Sequence, residues 1–152
     1  MRRTVLVVLA AGLLLGADNP KGEAKKDQDK LQGEWTLESG TREGTEIPED
    51  IAKSLKRTIK DDGFSVTRDG QALNKGTFKL DPSKKPKAID FITTEGPGKG
   101  TKALMLYELK GDELRLCETT PDDTRKDLPR PAEFSAGPGS GRAITTLRRT
   151  AP

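Results

Sequence analysis

Leu31-Gln32-Gly33-Glu34-Trp35-Thr36-Leu37 is the stretch on which the fold turns. Leu31, Gly33, Trp35 and Leu37 share one parity, and Gln32, Glu34 and Thr36 share the other. A period of two gives a strand with one buried and one wet face. Trp35 is the only tryptophan in the chain. A strand with an apolar face needs partners, and the sequence downstream supplies them.

The first strand is expected from about Leu31 to Ser39. Gly40 to Gly44 is a turn region. Pro48 to Leu55 predicts a short helix, with Pro and two acids in its first turn and Ile51 and Leu55 on one edge. Strands are then expected at Thr58 to Lys60, Phe64 to Arg68, Leu73 to Leu80, Ala88 to Thr94, Thr101 to Leu109, Glu113 to Cys117 and Ala143 to Arg149. Asp69-Gly70 is a two-residue hairpin turn signal. Asp81 to Lys87 is a proline-stiffened loop, Glu95 to Gly100 a hairpin loop, and 119–142 a long loop. Eight strands joined mostly by short hairpins predict an all-β, antiparallel up-and-down barrel over 31–150, with the one short helix after the first strand. Closing the sheet removes its unpaired edges. An open sandwich or half-barrel is the alternative.

Composition agrees with this class. The 152 residues fit one domain. Sixteen Gly and ten Pro favour many turns over a helical bundle. Residues 1–17 read as a signal peptide: Arg2 and Arg3 precede an apolar run from Val5 to Leu15, and Gly16-Ala17 offers a small residue for cleavage. That run is short for a transmembrane span, so no stable span is expected after cleavage. Residues 18–30 (DNPKGEAKKDQDK) read as a disordered polar tether. The expected location is export, to the periplasm or outside the cell.

The formal charge is +3, but two of the 27 basic residues lie in the leader, leaving 25 against 24 acidic residues. Acids and bases are interspersed, which excludes the net basic face that nucleic acid needs. There is no His, which removes the commonest general base and metal ligand. The single cysteine, Cys117, has no internal disulfide partner and reads as a buried, inert side chain.

Two features of the strand pattern carry a resemblance. Gly33-Glu34-Trp35 on the first strand of an eight-strand meander is similar to the G-x-W signature of lipocalins. The combined pattern over Lys30 to Arg149 resembles a lipocalin-like domain expanded in planctomycete bacteria. It comprises Leu31-Gln32-Gly33-x-Trp35, Gly76-x-Phe78-x-Leu80-Asp81-Pro82-x-Lys84-Lys85-Pro86-Lys87-x-Ile89-Asp90, Gly111-Asp112-x-Leu114-x-Leu116-Cys117, Arg130-Pro131-x-x-Phe134 and Pro138-Gly139-Ser140-Gly141. The resemblance implies that Gly33 and Trp35 close one end of the barrel. It also implies a last-strand Arg over the indole, with Arg149 the first counterpart and Arg148 the second. It implies no catalytic residues.

No other motif points to catalysis. Gly96 to Thr101 lacks the spacing of a phosphate loop and precedes a strand. Gly137 to Gly141 reads as a loop. Asp61-Asp62 and Asp122-Asp123 do not match the spacing of calcium ligands and read as turn carboxylates. No Ser or Cys has a His partner. No cofactor or metal is expected, and an enzyme ranks below a binding or interaction protein.

The parities place Trp35, Leu37, Phe64, Val66, Phe78, Phe91, Met105, Tyr107 and Leu116 inside. Modest apolar content, 32%, favours a core filled by side chains over an open cavity. Phe64, Phe78, Phe91, Met105 and Tyr107 are the candidate ligand contacts. The expected function is an exported module, monomeric, binding a small apolar ligand in the barrel mouth. The alternative is a filled barrel that binds an envelope protein or polysaccharide through its loops.

Overall fold

The computed structural model describes residues 19–120, 124–125 and 127–151. The expected leader, 1–17, and Asp122-Asp123 lie outside them. The chain order is α1 (Pro20–Leu31), β1 (Gly33–Arg42), β2 (Thr45–Glu46), α2 (Glu49–Ser54), β3 (Leu55–Lys60), β4 (Gly63–Arg68), β5 (Gln71–Asp81), β6 (Ala88–Glu95), β7 (Lys102–Lys110), β8 (Glu113–Thr119) and β9 (Arg142–Ala151).

β1 pairs antiparallel with β3, each strand from β3 on pairs antiparallel with the next, and β9 returns to β1, so eight strands close into an up-and-down barrel. The two-residue β2 is an additional strand on β1. Period two now has a geometric consequence. Trp35, Leu37, Ile59, Phe64, Phe78, Ile89, Phe91, Met105, Tyr107, Leu114, Leu116 and Leu147 form one buried cluster. Gly76 is required within it. A Cβ there would stand 1.9 Å from the Ile92 carbonyl oxygen and 2.7 Å from the Phe64 ring.

The polar segment 18–30 is a correction: from Pro20 it is helix, not tether. Asn19 caps it by accepting from Gly22 N at 3.3 Å, and Pro20 occupies its first turn. Glu23 near its start and Lys30 near its end complement the helix dipole. Only Asp27 and Leu31, four residues apart on one face, are buried. Two inward positions suffice because this helix covers one end of a barrel and contributes little to its wall. Leu31, expected to open the first strand, instead ends the helix.

Residues 127–141 of the long loop form a strap over the outer face of β6, β7 and β8. Ala88, Leu106 and Cys117 lie side by side on that face and are buried. Arg130 pins the strap by donating to the Met105 carbonyl at 2.8 Å and to the Asp90 carboxylate. Arg115 stacks on Phe134 at 5.0 Å. The Cys117 thiol faces the carbonyls of Glu133 and Ser135 at 3.6 Å. Burial pushes the pKa of that thiol up. Among the described residues no helix is long and apolar enough to cross a membrane.

Candidate functional site

The two ends of the barrel differ in chemistry. At the end covered by α1, Trp35 is fully buried and its Nε1 donates to the Leu31 carbonyl at 2.8 Å. Arg149, paired with Trp35 across β1 and β9, sets its guanidinium 4.3 Å from the indole centroid. That guanidinium also donates to Asp112 at 2.9 Å and to the carbonyls of Gln32 and Lys30. Gly33 has φ +117°, a backbone state open to glycine, where the chain leaves α1 for β1. Gly33, Trp35 and Arg149 therefore come together at this end of the barrel.

The same end holds a polar clamp that the sequence reading missed. Asp27 Oδ2 accepts from Tyr107 Oη at 2.7 Å and from Lys87 Nζ at 2.8 Å. Glu23 joins Lys87 at 2.9 Å. Burial pushes the Asp27 carboxyl upward, but the hydrogen bonds from Lys87 and Tyr107 outweigh it and hold the group below its usual pKa. Burial and the same carboxylate drive the Tyr107 phenol far above its ordinary value. The buried phenol thus has its partner, and that partner comes from α1.

All five candidate ligand contacts are buried. Phe64 meets Phe91 edge-to-face at 4.9 Å, and Phe78 lies 5.9 Å from Phe91. Met105 joins the same cluster and Tyr107 the clamp. None of the five lines the mouth cavity, so their assignment as ligand contacts is corrected: they are packed core.

The cavity lies toward the other end and measures about 170 Å³. Its apolar wall includes Leu37, Ile47, Leu55, Val66 and Leu147. Its polar wall includes Arg57, Glu118, Thr120 and Thr145. Arg57 stands inward on β3 between Leu55 and Ile59, and Glu118 inward on β8 beyond Leu116. Arg57 Nη2 approaches Glu118 Oε1 at 3.5 Å, and Thr145 Oγ1 donates to the same oxygen at 3.1 Å. The guanidinium carbon sits 4.9 Å from the Phe91 ring centroid. Arg57 Nε, Arg57 Nη1 and Thr120 Oγ1 are buried with no hydrogen-bond partner among the described residues. Leaving a buried polar group unmet costs about 1–3 kcal/mol, more when it is charged.

A larger groove, about 530 Å³, lies outside the barrel between α1 and the β5 end. Lys21, Lys25, Asp29, Asp61, Lys79 and Asp81 are among its lining residues, and most of them are solvated. Size alone favours the groove, but mixed exposed charge on an open surface gives a small molecule little desolvation. The smaller cavity is the better site on physical grounds. Among the described residues no three acidic or cysteine side chains gather to hold a metal ion.

Comparison with protein-family models, curated proteins and solved structures gives no match. Functional inference therefore rests on the geometry.

Signals for Arg57 and Glu118 existed in the sequence. The third strand, read as Thr58 to Lys60, begins at Leu55. Extended to that residue, its parity turns Leu55, Arg57 and Ile59 inward together. Glu118 shares the parity of Leu114 and Leu116 but lay one residue past the expected strand end.

Proposed function

We propose that this chain is an exported, monomeric, lipocalin-like binding module that takes one small, mostly apolar molecule in the mouth of its barrel. The observation that carries the reading is the 170 Å³ cavity, with its apolar wall and its unmet polar atoms, set over an otherwise packed interior. Size narrows the class. A cavity of about 150 Å³ lined by apolar side chains accommodates benzene. The mouth therefore suits a body of about six to nine heavy atoms, too small for a long-chain lipid. Export is proposed from the basic and apolar pattern of 1–17. Docking through the long loop receives less support, because Arg130, Phe134 and the chain around Cys117 are engaged with the barrel itself.

Native mass spectrometry of protein purified from its own cell envelope tests the proposal. The expected result is an adduct of small-molecule mass, lost on unfolding, on a chain whose N-terminus lies near residue 18. Protein that carries no adduct and binds nothing from a panel of small apolar compounds overturns it.

A further inference from the structure

Arg57 decides what kind of small molecule the cavity favours. We propose that the ligand carries a single negative charge, a carboxylate or an equivalent monoanion, and that Arg57 receives it head-first inside the mouth. This rests on the binding-module reading and goes beyond it, because a wholly apolar ligand would leave the buried guanidinium as it is.

The first argument is donor chemistry. A guanidinium has five N–H donors and no acceptor. Only one of its nitrogens meets Glu118, while Nε and Nη1 have no partner among the described residues. Nothing but an acceptor atom can satisfy them. Neither atom is open to solvent. An arriving acceptor meets them once the guanidinium turns off the Phe91 face into the cavity it already lines. Thr120 Oγ1, also unpartnered on the same wall, supplies a hydroxyl donor.

The second argument is charge. Among the described residues the cavity is lined by Arg57, Arg42 and Lys56 against one acid, Glu118. Lys56 is already paired with Glu34 at 2.9 Å. Glu118 Oε1 already receives Arg57 and Thr145. With Arg57 set against Glu118 and Lys56 against Glu34, the charge left over among the described residues is that of Arg42, exposed at the rim, beside the unused donors of Arg57. An incoming cation would face those two arginines. A dianion such as phosphate would bring two charges beside Glu118 with one buried guanidinium to hold them. A monoanion meets the donors at the smallest like-charge cost.

The third argument is placement. Arg57 is one inward position deeper than Leu55, while Leu37, Ile47, Val66 and Leu147 surround it with apolar surface. A charged head at Arg57 leaves the ligand body against those side chains. Apolar walls lower the local dielectric, so the ion–hydrogen-bond contact is stronger than at the surface.

Isothermal titration with three probes of one shape tests this: benzoate, benzamide and toluene, each against wild type, Arg57→Gln and Arg57→Lys. The expected result is that benzoate binds wild type about tenfold or more tighter than benzamide. Arg57→Gln should lose that advantage and Arg57→Lys should keep part of it. Equal binding of all three probes, unchanged in Arg57→Gln, overturns the anion proposal and leaves the cavity reading standing. Benzoate binding that ignores Arg57→Gln also overturns it, since the ion then sits elsewhere. No binding of any probe overturns the cavity reading and the anion proposal with it. If Arg57→Gln fails to fold, the wild-type Arg57 Nε–H resonance serves instead. A shift with benzoate and none with benzamide supports the proposal, and no shift with benzoate overturns it.

Discussion

The two ends of this barrel spend polar groups in opposite ways. At the α1 end, the indole, the phenol, Asp27 and the Arg149 guanidinium each have a hydrogen-bond partner, and the partners come from different segments. At the mouth, a second arginine over a second aromatic ring has one long ion pair and two unmet donors. The same residue pair, Arg on an aromatic face, thus appears once as a closure and once as an opening. Satisfied buried polar networks fix a structure, and each unsatisfied group is a cost that calls for an explanation, such as a water, an ion or a functional role. On the proposed reading, the α1 end serves stability and the mouth serves binding.

Breaking the closed end should produce the larger effects. Trp35→Ala should destabilise the fold by about 3–5 kcal/mol in urea unfolding, because it removes a fully buried ring and its hydrogen bond to Leu31. Melting like wild type would erase the distinction between the ends. Asp27→Asn should cost about 2–3 kcal/mol, since it removes the charged acceptor of both Tyr107 and Lys87. It should also release amide protection along α1 before the strands. Arg149→Lys keeps the charge but loses the planar fork over Trp35, and a loss of about 1–2 kcal/mol is expected. At the mouth, the double change Arg57→Met with Glu118→Met should stay within about 1 kcal/mol of wild type or stabilise it. Replacing a poorly compensated buried pair with apolar side chains is commonly neutral or better. A large loss there would make the mouth a second structural clamp.

Acid sharpens the same contrast. The Asp27 carboxyl is held below its ordinary value of 3.8 in the folded chain. Between the folded and unfolded values the native form binds fewer protons, so stability falls as pH falls. The clamp should therefore contribute fully above the ordinary Asp range and be lost progressively below it. Lys87, with its pKa raised above 10.5 by Asp27 and Glu23 against the opposing effect of burial, gives the matching loss at strongly alkaline pH. Circular dichroism melts of wild type and Asp27→Asn against pH should converge in acid. Parallel curves would contradict the clamp.

The barrel was legible because its signal is local. Strand alternation and Gly- and Asp-rich hairpins recur along the chain, whereas the Trp35–Arg149 closure comes from the resemblance to the lipocalin first strand, with parity choosing Arg149 over Arg148. The helix α1 was not legible by apolar periodicity, since only Asp27 and Leu31 face inward. Its evidence lay in capping: Asn19 before Pro20, an acid early and a lysine late. The mouth escaped for a different reason. Apolar inward residues announce themselves, whereas Arg57 and Glu118 in a charge-rich chain look like any solvated face until closure of the barrel brings β3 and β8 to face each other across its interior.

The most direct test of the contrast is a two-dimensional ¹H–¹⁵N titration of the protein with benzoate. The backbone amides of Arg57, Glu118 and Thr145 should shift in a saturable manner, while the Trp35 indole N–H and the amides of Asp27 and Tyr107 stay in place. Shifts centred on Trp35 and α1, or no shifts at all, would contradict the assignment of stability to one end and binding to the other.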